Sequence, residues 1–288
     1  MNGTRRSFVA LGLVGAVTFF VYLPVVASLV RQWASDDNYS HGFLVVPFAA
    51  YFAWRRRREL SALPVRPHWS GLAVVLAGLG LLVAGRLGAE LFLARVSLVG
   101  LLAGSVLFLY GARHFRLLAF PIAFLLLMIP LPSVVFNQLA FPLQLLASSA
   151  GESVLYAAGV PVLREGNILM LPTTTLEVVQ ACSGIRSLVS LLTLAIILGE
   201  LTEPRVWARV VLALLALPVA IAANAARVAG TGLAAQWIGP RAAEGFFHEF
   251  SGWVMFVVAF ALLLGAHRVL MLRPRITPGA RRAPAGVS

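Results

Sequence analysis

One cysteine occurs in the 288 residues, Cys182, where a polar segment gives way to an apolar run that begins at Ile185. It sits in Glu177-Val-Val-Gln-Ala-Cys-Ser-Gly-Ile-Arg186. A thiol at such a boundary meets water on one side and lipid on the other. Arg186 follows four residues later, so on a helix already begun the two side chains share a face. A nearby guanidinium favours thiolate over thiol, and the thiolate is the nucleophile. Two more groups complete a reaction scheme: Arg227 in Ala223-Asn-Ala-Ala-Arg-Val228, and His248 in Phe246-Phe-His-Glu-Phe-Ser-Gly-Trp253. A thiolate that attacks a peptide carbonyl forms a thioester. An imidazole with an ordinary pKa near ~6.5 takes the thiol proton and returns it to the leaving amine. A permanently charged guanidinium donates to the oxyanion as its charge develops. An amine that resolves the thioester gives transpeptidation, and water gives hydrolysis. The plain alternatives are a small buried hydrophobe for the cysteine, a snorkelling anchor for the arginine and an interfacial ring for the histidine.

These residues must be held by membrane helices. The chain is 60% hydrophobic and 12% charged, with a mean hydropathy of +0.89; soluble domains carry about twice that charged fraction. Apolar runs of about 20 residues are candidate spans. They fall at Phe8–Leu29, Phe43–Trp54, Trp69–Gly85, Leu91–Tyr110, Leu117–Leu131, Ile185–Leu198, Val206–Ala223 and Phe250–Leu270. Phe43–Trp54 is short, and reaches crossing length only with Ser40 added and Arg55 snorkelling. The first run is too long for a signal-peptide core, so it reads as a retained helix. Pro132–Gly159 is moderately apolar with scattered polar residues, as in a helix lying along the interface. Val160–Gln180 has strand character: Val-Pro-Val-Leu and Ile-Leu-Met-Leu flank Arg-Glu-Gly-Asn, a hairpin turn. The expected fold is therefore an all-α integral membrane protein of about eight transmembrane helices. A small extracytoplasmic cap, about residues 132–182 and with hairpin character, delivers the chain to Cys182. The membrane domain covers 1–272, and the Pro- and Arg-rich stretch 273–288 reads as a disordered basic cytoplasmic tail. The Gly230–Glu249 stretch reads as an outer loop.

Charge orients this scheme. Every basic residue is arginine, and the net charge is +12. Sixteen of the 23 arginines fall on the side of both termini, as the positive-inside rule requires for cytoplasmic segments. The same topology puts Cys182, Arg227 and His248 at the opposite, extracytoplasmic face. Arg31, Arg86, Arg95, Arg164, Arg186 and Arg241 also fall in the outer half and need an explanation of their own. The basic excess lacks interleaved aromatics, which argues against nucleic acid. No metal-ligand cluster, phosphate loop or serine-nucleophile motif is present, so neither metal nor cofactor is expected.

The motifs Ala181-Cys-Ser-Gly-Ile, Asn224-Ala-Ala-Arg and His248-Glu-Phe-Ser-Gly resemble the three signatures of the exosortase/archaeosortase family. Asn38-Tyr-Ser-His-Gly42, followed by an apolar stretch and Arg55–Arg58, is similar to that family's N-terminal pattern. The resemblance runs from about Trp33 to Leu270. It implies a multi-pass inner-membrane cysteine transpeptidase of the cysteine-peptidase type, with Cys182, Arg227 and His248 as catalytic residues. Its implied partners are exported proteins ending in a sorting tail: a Pro-Glu-Pro-type motif, a transmembrane helix and an Arg cluster. The motifs name no acceptor molecule. Arg186, His41 and Asn224 are the expected substrate-binding or supporting residues; a loop role for His41 and an interhelical hydrogen bond for Asn224 are the alternatives. Competing functions are a membrane thiol protease or acyltransferase without a sorting role, and a transporter whose outer arginines bind anions.

Overall fold

In lipid, a backbone that cannot bond to water must satisfy itself, so apolar runs become helices. The computed structural model of the chain follows this rule. It describes residues 2–172, 174–178, 185–239 and 245–272, with backbone alone for 2–14, 16–17, 245–249, 251 and 270–272. Cys182, Arg241 and the tail from residue 273 lie outside the described residues. The helices are α1 (Asn2–Ser35), α2 (Gly42–Arg55), α3 (Arg57–Ala62), α4 (Ser70–Leu87), α5 (Leu91–Leu109), α6 (Ala112–Phe124) and α7 (Ser133–Ala157). After three short strands come α8 (Ile185–Thr202), α9 (Val206–Trp237) and α10 (Gly245–Leu272). Among the described residues five helices are long and apolar enough to cross a membrane. The count rises to six if the bent pair Ala112–Met128 and Ser133–Ala157 is one span. Many large apolar side chains, among them Phe20, Trp54, Leu76, Leu214 and Val269, are exposed, as lipid-facing surfaces require.

The chain divides into two units, residues 1–143 and 144–288. In the first, α4 and α5 form a tight hairpin. Gly71, Gly78 and Gly85 recur every seven residues, and a Cβ on them would meet the backbone nitrogens of Phe108, Leu101 and Ala94 at 2.2, 3.2 and 2.7 Å. Small residues on a helix interface let backbones approach where no hydrophobic force drives association. Tyr22 and Val25 of α1 pack onto this hairpin with Leu82, Ala94 and Leu101, and the Tyr22 hydroxyl meets Ser97 Oγ at 3.0 Å.

The Asn38–Gly42 motif ties three elements of this unit together. Residues 125–128 form a 3-10 turn, after which Pro130 and Pro132 bring no N–H donors to continue the helix. The chain bends there by 81°. Carbonyls left open by the break are taken by side chains: Trp33 Nε1 donates to Met128 O at 2.9 Å, and His41 Nε2 lies 3.0 Å from Leu127 O. Gly42 lies flush on the Trp33 ring, where a Cβ would come within 2.5 Å.

In the second unit, strands β1 (Leu163–Glu165), β2 (Ile168–Met170) and β3 (Thr175–Glu177) form an antiparallel sheet in sequence order. Arg164 pairs with Leu169, and Leu169 with Leu176. The β1–β2 turn carries Gly166 at φ 63°, a conformation that glycine adopts without strain. Ser148 of α7, fully buried, donates to Gly166 O at 3.0 Å and fixes that turn. Asn167 binds the far end of β3: its Nδ2 donates to Val178 O at 3.1 Å, and Val178 N donates to Asn167 O at 2.8 Å.

Candidate active site

Helices α8, α9 and α10 carry the three motifs or directly follow them. They pack through Leu191, Ala195, Leu212, Ala216, Ala220, Ala259 and Leu263, four of which are alanines that permit close approach. One end of this bundle is pinned by polar contacts. Arg209 of α9 is bonded to Glu200 of α8 and donates through Nε to Glu203 O at 2.6 Å. His267 of α10 lies 3.1 Å from Glu203 Oε1 and 3.0 Å from Thr202 Oγ1. Glu203 and His267 lie far apart in sequence and meet only once the helices are packed.

Arg227 lies 21 positions beyond Val206, or roughly 32 Å along α9 at 1.5 Å per residue. That is close to the ~30 Å thickness of a bilayer core, so it stands at the other end of the bundle. Sequence reading ended this span at Ala223 and opened a loop at Gly230, whereas α9 continues to Trp237. The reason is that Asn224 and Arg227 end the apolar run but not the helix. Alanines at 225, 226, 229, 234 and 235 sustain helix by propensity after hydropathy has failed.

Around Arg227, α9 meets α10, and the next residue of α9 meets the segment that leads towards the cysteine motif. Its guanidinium lies against Gly252 of α10, where a Cβ would stand 3.1 Å from Cζ and 3.2 Å from Nη2. Gly252 is one helical turn after His248 in the same helix, so the two positions share a face. The residue after Arg227, Val228, points into a different cluster with Ala147, Leu155, Leu169, Leu171 and Val178. Gly151 of α7 admits it, since a Cβ there would meet Val228 Cγ1 at 2.8 Å. Val178 closes β3 and precedes Cys182 by four residues. On the far side of the cysteine, Ile185 is buried at the start of α8. Arg186, half-buried, is the second residue of that helix.

Asn224 is 7% exposed and stands three residues before Arg227, on the same side of α9. Cys182 lies outside the described residues, and His248 is described by its backbone only. His41 belongs to the first unit. It is 5% exposed, and burial pushes its pKa below 6.5 against the opposing pull of the Leu127 and Asn38 carbonyls. No group of three metal-ligating side chains occurs among the described residues.

The outer arginines have protein partners in several cases. Arg164 is bonded to Glu152 at 2.7 Å, Arg86 donates to Val21 O at 2.6 Å, and buried Arg95 donates to Gln32 Oε1 at 2.7 Å. Gly252 is the residue that sequence reasoning missed. The available signal was a glycine inside an apolar helix, which costs about 1 kcal/mol against alanine and so asks for a packing reason.

A family model described as transmembrane exosortase matches residues 33–265. No curated protein and no solved structure matches the chain.

Proposed function

Because the chain belongs to the transmembrane exosortase family, a membrane family with a transpeptidase and protein-sorting role, we propose that it cleaves exported proteins at a C-terminal sorting signal through a Cys182 thioester. The observation that carries this reading is the convergence at Arg227. Gly252, one turn from His248, receives the guanidinium, and Val228 shares a buried cluster with Val178, four residues ahead of Cys182. The helix that carries the histidine motif thus touches Arg227, and the segment ahead of the cysteine motif packs against Val228, within one unit.

In this scheme Cys182 stands just ahead of the α8 N-terminus. The positive end of the α8 dipole and the Arg186 guanidinium both favour a thiolate there. The thiolate adds to the scissile carbonyl, and Arg227 donates to the oxygen that gains charge. His248 carries the thiol proton to the departing amine. The acyl group is left on sulfur until an acceptor amine, or water, releases it and restores the thiol. Asn224, one turn before Arg227, orients that side chain or the tail.

The catalytic face is extracytoplasmic and both termini are cytoplasmic in this reading, supported by the sixteen arginines on the terminal side. Eight spans result when α1, α2 and the segment Ala112–Met128 are counted with the five apolar helices. The sheet and α7 form the outer cap. A substrate tail of helix and basic end then inserts with its motif level with Cys182.

The test is a co-expressed substrate bearing such a tail. A hydroxylamine-sensitive enzyme–substrate adduct is expected in the parent protein, and neither adduct nor cleavage in Cys182→Ala. Cleavage that persists in Cys182→Ala would exclude the thioester mechanism.

A further inference from the structure

A cavity lies in the first unit, lined by none of the residues assigned above. It measures about 530 Å³ and opens between α3, the loop to α4, and the α5–α6 junction. That is within the ~300–1,000 Å³ of small-molecule sites. Its shape follows from the sequence. Gly111, at φ 92°, turns the chain between α5 and α6, and the carbonyl of Arg66 lies where a Cβ on Gly111 would stand. Arg66 N donates to Tyr110 O at 3.2 Å, so the loop carrying Pro64 and Pro67 is held across the junction. Arg56 Nη1 donates to Leu117 O at 2.7 Å and holds the α2–α3 corner against α6.

The wall is apolar, with Leu60, Leu63, Val106 and Leu118, and the polar lining is Ser61, Tyr110 and His114. His114 is 7% exposed, and its Nδ1 has no hydrogen-bond partner. A buried imidazole nitrogen without a partner is costly, so a ligand that supplies one is favoured. Arg66 and Arg113 are exposed and adjacent in sequence to the lining residues Val65 and His114, and exposed Arg57, Arg58 and Arg116 lie within three positions of others, against a single acid, Glu59. An apolar chamber with a cationic rim matches a molecule with a hydrocarbon body and an anionic head.

We propose that this cavity is a binding site for one anionic phospholipid of the adjacent leaflet. Its acyl chain fills the space between Leu60, Val106 and Leu118, its phosphate faces the arginines, and an ester oxygen meets His114. Binding at a defined site differs from the general attraction of basic loops to a charged bilayer, because it requires the chamber as well as the charge.

The experiment is native mass spectrometry of the full chain in detergent, titrated with dioleoylphosphatidylglycerol or dioleoylphosphatidylcholine. One phosphatidylglycerol molecule is expected to bind at least about tenfold more tightly than phosphatidylcholine, as two or more arginines near a phosphate would give. Arg66→Gln with Arg113→Gln should remove most of that preference. Ser61→Trp, at an exposed rim position, should fill the chamber and abolish the tight site for both lipids while the arginines remain. His114→Phe should weaken phosphatidylglycerol binding where the variant folds; Ser61→Trp decides the matter where it does not. Equal affinity for the two lipids, or unchanged binding in Ser61→Trp, would overturn the proposal.

Discussion

The two ends of the α8–α9–α10 bundle place ionisable side chains in different surroundings. At one end Arg209, Glu200, Glu203, Thr202 and His267 bond to one another, and Glu203 and His267 are nearly fully buried. At the other, the Arg227 guanidinium rests against the bare Cα of Gly252. Both ends carry an arginine on α9 and a histidine on α10. Partnered acids lock the first pair into the packing of three helices. The second arginine lies beside a residue without a side chain, which lets its planar group pack close to the α10 backbone.

The largest effect that would test this contrast is expected at Arg227. Arg227→Lys keeps the charge and loses the fork of donors, and turnover should fall about 10²-fold or more with an unchanged melting temperature. Turnover close to the parent's would show that the arginine is an interface anchor. Gly252→Ala comes next. The added methyl must displace the guanidinium, and a shift of about 1 Å in a catalytic group costs up to ~10²-fold. Because Gly252 acts through Arg227, the same change made in Arg227→Lys should add little; full additivity would separate the two residues.

The locked end should show the reverse pattern. His267→Leu removes the ring that lies 3.0 Å from Thr202 Oγ1 and 3.1 Å from Glu203 Oε1, a loss of about 1–3 kcal/mol by the usual cost of a buried polar group left unsatisfied. Thermal unfolding in detergent should register it, while turnover per folded molecule stays within about twofold. A large drop in turnover at full stability would mean that the two ends are not distinct in role.

His41 offers a smaller, pH-dependent check in the other unit. Its folded pKa lies below 6.5 because burial favours the neutral ring. Above pH 6.5 both folded and unfolded chains hold it neutral, and its contribution is complete. As pH falls below that value the unfolded chain takes up the proton first, so stability declines. Melting temperatures measured from pH 8 to 5 should fall, and the slope should flatten in His41→Gln. Arg164→Gln should matter least. Its pair with Glu152 is about a third exposed on both sides, and such pairs are worth about 0–1 kcal/mol.

The sequence by itself determined the membrane class and the course of the long apolar helices, and it proposed the reactive groups. Lipid imposes a single requirement, continuous apolar helix, and that is readable as composition and run length. The β1–β2 hairpin was legible for a similar reason, since Arg164-Glu-Gly-Asn between β-branched and aliphatic runs is a local signal. Local signals failed at α9, where hydropathy and helix propensity part company after Ala223, and at Gly252, whose neighbour is 25 positions away in sequence. They failed also for the Glu203–His267 contact and for the shared cluster of Val178 and Val228. The last three are meetings of surfaces distant in sequence, and which surfaces meet is set by the summed packing of many small side chains. No single residue states that sum, so only the tertiary structure could decide it.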